Sequence, residues 1–352
     1  ACSRFASRQT RSICHQSWPE PSPSNFSRTK TAVISISFWV SIYEKFTIAI
    51  DFFNKHAMLR PELISSQLSM KSGFAVIIGR SNVGKSTLIN SLVGTKVSIT
   101  TPKPQTTRRP IQGVLTTDEG QIVFVDTPGL MQKAGDPLTK KLTHYISESM
   151  QGIDLLLFVA DSTRAIGAEE KKIMQMVEPI TVPKLYLINK TDDPASRYFI
   201  DSYRDLITKF DGAVEISAMN GSNLDLVKKW IFERLPEGEL LYPDFDVSNQ
   251  TKEQQLSELI REKLFLRLRE EVPYSTHVVV TEIDKRKNGT MFVKGTIFTS
   301  EERYKGMIIG QGGRGIREIG QSVRNELEAV TGKQFYLQLD VQVDRNWVNK
   351  ME

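Results

Sequence analysis

Several short runs along the chain are apolar at every position, which predicts strands buried on both faces of a parallel sheet rather than half-exposed ones. FAVII (Phe74 to Ile78) and IVFV (Ile122 to Val125) are of this kind, KLYLI (Lys184 to Ile188) is a third strand, and EISA (Glu215 to Ala218) ends a fourth. KSTLINSL (Lys85 to Leu92) reads as a helix after the first strand, and SNLDLVKKWIFERLP (Ser222 to Pro236) as another, stopped by Pro236. GELLYPDFDVSNQ (Gly238 to Gln250) has turn formers and no clear period, so it is the expected interdomain linker. From Gln254 the pattern changes. A long amphipathic helix, LSELIREKLFLRLREE, precedes two strands, THVVVTEI (Thr276 to Ile283) and TMFVKGTIFT (Thr290 to Thr299), with Asn288-Gly289 turning the hairpin in KRKNG. Helical spacing in MIIGQGGRGIREIGQSVRNELEAVTG and a last strand, FYLQLDVQV, complete the order helix, strand, strand, helix, helix, strand. The expected architecture is a doubly wound α/β phosphate-loop domain at 70–236, a linker at 237–250 and an α+β domain at 251–352.

Polar motifs sit where the apolar runs end. GRSNVGKST (Gly79 to Thr87) matches G-x-x-x-x-G-K-[ST] between a strand and a helix. Its glycines, Gly79 and Gly84, let backbone N–H groups from Asn82, Val83 and their neighbours wrap phosphates at the helix N-terminus. Lys85 is then placed for the β- and γ-phosphates, Ser86 for Mg²⁺, and Thr87 for the phosphates beyond. DTPG (Asp126 to Gly129) follows the second strand, which puts Asp126 at a carboxyl end as a second Mg²⁺ contact and the Gly129 N–H toward the γ-phosphate. NKTD (Asn189 to Asp192) follows the third. The Asp192 carboxylate can accept from N1–H and N2–H₂ of guanine, a donor pair adenine lacks. Asn189 and Lys190 hold the base and its loop, and Ser217 with Ala218 supplies an N–H for guanine O6. Each motif is an ordinary turn alone. Their order selects GTP over ATP and implies hydrolysis, with Lys85 and Gly129 around the γ-phosphate.

At this point the chain resembles the Era family of GTPases over about Lys71 to Trp347. PKPQTTR (Pro102 to Arg108) is similar to the family's switch I segment. The resemblance implies that Thr107 closes on Mg²⁺ and the γ-phosphate, with Thr106 the alternative. It also implies that Asn82 matches an asparagine that coordinates a monovalent cation, so K⁺ there would supply the charge an arginine finger provides elsewhere. Many GTPases carry a water-orienting glutamine after DTPG; Leu130 stands here and has no donor or acceptor for that task. Arg108 and Arg109 are expected to be solvated or RNA-facing charges on a mobile loop rather than a cis arginine finger.

For the second domain the resemblance implies a KH fold. Its signature is GQGG (Gly310, Gln311, Gly312, Gly313), a turn that clamps the backbone of about four single-stranded nucleotides. The family usually has a basic residue inside this turn where Gly312 stands, so Lys305, Arg314 and Arg317 are expected to supply the charge. The implied partners are the 3′ end of small-subunit ribosomal RNA and the small ribosomal subunit, whose maturation such proteins assist. A monomer is implied, in the cytoplasm and in peripheral contact with the inner membrane.

Bulk charge adds little: +5 over 352 residues is mild for a nucleic-acid binder, so any RNA footprint must be local. Both cysteines, Cys2 and Cys14, precede the two domains, which fits a reducing compartment, and the four histidines form no zinc or histidine-base pattern. Residues 1–69 are an extension whose first thirty positions hold one acid, Glu20, among serines and arginines, as in transit peptides. A chloroplast or mitochondrial address follows if they are one; initiation at Met58 or Met70 is the other reading. TAVISISFWVSIYEKFTIAI (Thr31 to Ile50) is broken by Glu44 and Lys45, so no transmembrane span is expected. Three rivals stand against the GTPase switch. A double-domain ribosome-assembly GTPase would need a second motif set, a phosphate-loop kinase or ATPase would lack NKTD, and an RNA-binding factor with a purely structural nucleotide site would hydrolyse nothing.

Overall fold

A computed structural model of the chain describes residues 70–104, 106–129, 144, 148–149 and 152–350, with side chains as far as 348. The extension at 1–69 and Leu130 therefore lie outside the described residues.

The first domain is built on a six-stranded sheet of order β2-β3-β1-β4-β5-β6. Its strands are β1 (Lys71–Ile78), β2 (Ile111–Thr117), β3 (Gly120–Asp126), β4 (Leu155–Asp161), β5 (Lys184–Asn189) and β6 (Gly212–Glu215). All pairs are parallel except β2 with β3. Every residue of β3 and β4 is buried, because helices cover both faces of the sheet. Strand alternation sorts the apolar residues into two cores. Ala75, Ile77, Phe124, Leu157 and Leu187 pack with α1 (Lys85–Val93) on one face. Val76, Ile78, Phe158 and Tyr186 pack on the other, against α2 (Ala168–Val177) and Tyr203 of α3 (Ile200–Arg204). α4 (Leu224–Arg234) buries Val227 and Ile231 in the first core. The four functional motifs end β1, β3 and β5 or follow β6, so this order brings them to one edge, where ligands of open α/β sheets sit.

The aperiodic linker is not slack. Its backbone runs along the sheet edge: Gly238 N–H donates to the Met70 carbonyl at 2.8 Å, and Val114 N–H to the Val247 carbonyl at 3.0 Å. Gln121, fully buried, accepts from Leu241 and Tyr242 N–H, both at 2.8 Å, and donates to the Tyr242 carbonyl at 2.9 Å. Of these, the Val114 bond satisfies a donor on the edge strand β2 that would otherwise be unpaired, and the others tie the linker to the body of the domain.

The second domain follows as α5 (Lys252–Arg267), β7 (Thr276–Lys285), β8 (Met291–Thr299), α6 (Glu302–Ile309), α7 (Arg314–Thr331) and β9 (Phe335–Val343). Thr251 caps α5, accepting from Gln254 N–H while Gln254 reaches back to Thr251 N–H. β7 pairs antiparallel with β8, and β9 lies parallel on its other side. Ile260 and Leu264 of α5, Val293 and Ile297 of β8, and Ile319 and Val323 of α7 form its core. No helix among the described residues is long and apolar enough to cross a membrane.

Candidate functional site

The phosphate loop is shaped by residues that no other side chain could replace cheaply. Gly84 has φ +102°, and a Cβ there would lie 2.4 Å from Asn189 Nδ2. Gly129 comes so close to the loop that a Cβ would meet the Ser81 backbone at 2.7 Å. Asn82 also takes a positive φ, +64°, and donates from Nδ2 to the Pro102 carbonyl of switch I at 2.8 Å. Lys85 is buried, and its ammonium donates to the Gly79 and Arg80 carbonyls at 2.9 and 2.8 Å. Burial lowers its pKa to about 8, against the pull of Asp126.

Three hydroxyls converge on one carboxylate oxygen. Asp126 Oδ2 accepts from Ser86 at 2.8 Å, Ser98 at 2.9 Å and Thr107 at 3.2 Å, with Ser86 and Thr107 2.9 Å apart. Thr106 is turned elsewhere, to Thr101 Oγ1 and the Lys103 carbonyl at 2.7 and 2.8 Å. Asp126 Oδ1 is buried without a hydrogen-bond partner, and burial raises the carboxyl pKa despite Lys85 and the three hydroxyls. A buried carboxylate with an orphaned oxygen beside hydroxyl oxygens fits a hard divalent cation such as Mg²⁺. Among the described residues no cluster of three or more histidine, cysteine or carboxylate groups offers another metal site.

The base-recognition motifs are knitted to this loop. Asn189 donates from Nδ2 to the Val83 carbonyl at 2.8 Å and accepts on Oδ1 from Ala218 N–H at 2.9 Å. The Ala218 N–H expected for guanine O6 is thus already engaged within the protein. Lys190 bridges the Asn82 carbonyl at 2.7 Å and Asp161 Oδ2 at 2.8 Å. Ser217 is buried, its Oγ accepting from Asn220 N–H at 3.1 Å, while Asp192 is exposed. A cleft of about 540 Å³ is lined by Asn82, Gly84, Lys85, Ser86, Thr87, Thr107, Gly129 and Lys190, and also by Arg164 and Met219. Met219 follows the Ser-Ala pair directly, so position alone could have flagged it. Asp161, too, ends an apolar strand as Asp126 does, a legible signal passed over. Ser98 carries no such signal.

One expectation is overturned. Arg108 is neither solvated nor RNA-facing: it is 3% exposed and lies between the domains. It donates to the carbonyls of Pro273 at 3.2 Å, Tyr274 at 3.1 Å and Thr276, and stacks over Phe265 and Trp347 at 5.4 and 5.2 Å. The periodicity of either domain alone cannot reveal a side chain buried by the other. Arg109 is half-buried.

In the second domain Gly310, Gly312 and Gly313 have φ of +71°, +58° and +77°, so GQGG makes a turn that L side chains resist. Behind it a groove of about 560 Å³ is lined by Gly313, Arg317, Gln321, Arg324, Tyr336 and Leu339. Lys305 and Arg314 lie outside this lining and pair with Glu302 and Glu318 at 3.7 and 2.7 Å. Arg324 and Tyr336 escaped the sequence reading. Tyr336 is 51% exposed and stacks on Phe292, with Arg286 over both rings.

Comparison with known proteins agrees with both halves. Residues 74–190 match the family model described as 50S ribosome-binding GTPase, and residues 271–348 match the KH domain model. GTPase Era of Halothermothrix orenii is 39% identical over 284 residues, 80% of this chain and 96% of that protein. GTPase Era of Heliobacterium modesticaldum is 40% identical over 281 residues, 79% of this chain and 93% of that protein. Among solved structures, Era in complex with MgGDPNP and nucleotides 1506–1542 of 16S ribosomal RNA is 37% identical. It superposes with a TM-score of 0.75, covering 80% of this chain and 96% of that one. An Aquifex aeolicus Era variant bound to GDP·AlF4⁻ gives the same identity and score. The chain belongs to the Era family of GTPases, in which a phosphate-loop GTPase domain is joined to a KH domain.

Proposed function

We propose that this protein is a GTP-driven switch that binds the 3′ end of small-subunit ribosomal RNA through its KH domain and assists assembly and maturation of the small ribosomal subunit. The observation that carries the switch is the meeting of Ser86 and Thr107 at Asp126, whose second oxygen is buried without a partner. One of these residues belongs to the phosphate loop, one to switch I and one to the end of β3, so a single ion can tie all three.

Ser86, Thr107 and Asp126 would hold Mg²⁺, which when bound neutralises charge on the β- and γ-phosphates. The remaining work is positional and electrostatic. Lys85 sets a cation over the loop, the loop N–H groups cradle the phosphates, and the Gly129 N–H faces the γ-phosphate from a position where a Cβ would strike the Ser81 backbone. Asn189 fixes the distance between the phosphate loop and the base loop, and Asp192 selects guanine. Water attacks the γ-phosphorus, the bond to the bridging oxygen breaks, and GDP and phosphate leave.

K⁺ held at Asn82 is part of the same proposal, supported by the contact of Asn82 with switch I. Turnover is expected to be faster in K⁺ than in Na⁺, with the difference lost in Asn82→Ala; equal rates in both salts would remove K⁺ from the account.

On the RNA side, the groove behind GQGG offers two exposed arginines and an aromatic face, the chemistry that clamps single strands. The relative crystallised with 16S nucleotides supports the choice of RNA. Binding of a fluorescent small-subunit 3′-end oligonucleotide tests it. Arg317→Glu combined with Arg324→Glu should weaken binding at least about tenfold and flatten its salt dependence, because two phosphate-neutralising charges are reversed. Unchanged affinity would place the RNA elsewhere.

A further inference from the structure

We infer that Arg108 is a positioning residue through which the KH domain holds the switch I threonine at the metal site, so that GTP hydrolysis depends on the docking of the two domains. The inference rests on the switch proposed above and names how one domain reaches the other's site.

The geometry is that of two anchors on adjacent residues. Thr107 Oγ1 faces Asp126 and Ser86, whereas Arg108 points to the second domain. Their Cα atoms are about 3.8 Å apart, so the chain cannot release one anchor without disturbing the other. Among the described residues, the hydrogen-bond acceptors of the guanidinium are all backbone carbonyls, in the short 3₁₀ turn Val272–Ser275 and at the start of β7. The C-terminal end of such a turn carries partial negative charge, which suits a cation. Because the acceptors are main-chain, they shift only when the domain itself shifts.

Neighbouring contacts fix the same segment. Lys103 donates to the Phe265 and Leu268 carbonyls at the end of α5. Glu262 of α5, 3% exposed, accepts from Thr100 N–H at 3.2 Å and from Lys96 at 2.7 Å. Lys96 also reaches Glu326 of α7, the helix that begins at the G-x-x-G turn, at 2.6 Å. The segment before and within switch I thus touches the second domain at Lys96, Thr100, Lys103 and Arg108.

The seat is costly to keep. Among the described residues no carboxylate pairs with Arg108, and its Nε is buried without a partner. A second buried arginine, Arg261, stands over the same Phe265 ring at 5.3 Å and takes Glu258 as its own partner. Burial, then Arg261, lowers the Arg108 pKa to about 9. A buried cation compensated by carbonyls and rings holds only while the whole interface is assembled. That property suits a contact meant to be broken.

The test uses the full chain and its Arg108→Ala and Arg108→Lys variants, with turnover measured across a Mg²⁺ series and GDP affinity measured alongside. Arg108→Ala is expected to lower kcat at least about tenfold, since a displaced catalytic group can cost about a hundredfold. It should also raise the Mg²⁺ concentration needed for half-maximal turnover while leaving GDP affinity within about twofold. Arg108→Lys should recover part of the rate, because an ammonium can reach some of the carbonyls but not all in one plane. As an independent arm, Lys103→Ala loosens the same seat without touching Arg108 and should move the Mg²⁺ dependence in the same direction. Parental kcat and Mg²⁺ dependence in Arg108→Ala would overturn the inference. So would loss of GDP affinity in step with kcat, which would mean that Arg108 merely supports folding. A parent chain without turnover would instead overturn the switch itself, and the inference with it.

Discussion

Lys85→Ala is expected to reduce GTP turnover by about a hundredfold or more, the scale on which removal of one preorganised charge or donor is felt. The ammonium is buried against the Gly79 and Arg80 carbonyls, whereas the other cations of the cleft, Lys190 and Arg164, are both paired with Asp161. The Lys85 pKa, lowered from 10.5 to about 8, adds a signature. Below that pH the group is charged and attracts phosphate; above it the attraction fades, so GTP affinity of the parent should fall as pH rises through about 8. Folding moves the other way. Between about 8 and 10.5 the unfolded lysine holds a proton that the folded one does not, so this group makes the fold more stable as pH rises. A loss of binding there is therefore not caused by this group's effect on folding. Lys85→Ala should abolish the pH dependence together with the turnover, in stopped-flow binding and phosphate-release assays. Near-normal turnover would show that the phosphate site has been misplaced.

Asp192→Asn should convert a guanine site into a xanthine site. In the proposed site the carboxylate would accept from both N1–H and N2–H₂ of guanine. The substituted amide can accept only one of these and turns a donor toward the other. Two donors then face each other, and GTP affinity is expected to fall by about a hundredfold or more. Xanthine has a carbonyl at that position, which accepts from the amide, so XTP should bind and turn over in its place. Competition between GTP and XTP for the variant measures the exchange. Strict retention of GTP preference would remove Asp192 from base recognition.

The parts of the molecule most legible in the sequence were those governed by local chemistry. Continuous apolar runs gave buried strands such as β3 because a sheet covered on both faces demands apolar residues at nearly every position; β4, an equally apolar run, was not among the strands read from the sequence. The hairpin at Asn288-Gly289 followed from turn stereochemistry, and β9 from simple alternation and spacing. The motif residues were legible because phosphates, a metal and guanine each demand particular residue types at strand ends. Apart from Asp161 and Met219, which carry local signals, what escaped depended on long-range packing. Ser98 reaches Asp126 only because the segment after α1 folds back beneath it. Gln121 is an unremarkable polar residue in a strand until the linker lies across it. Arg108 is the plainest case: in one domain's sequence it is a basic residue on a loop, and only the second domain buries it.

The central claim is that RNA on the KH domain is felt at the GTP site. The most direct test is GTP turnover by the full chain in Mg²⁺ and K⁺, with and without a small-subunit ribosomal RNA 3′-end oligonucleotide. Slow basal turnover should rise when the RNA is added, with no rise in the Arg317→Glu/Arg324→Glu variant, whose nucleotide site is intact. Turnover that is identical with and without bound RNA would mean that the KH domain and the GTP site are uncoupled.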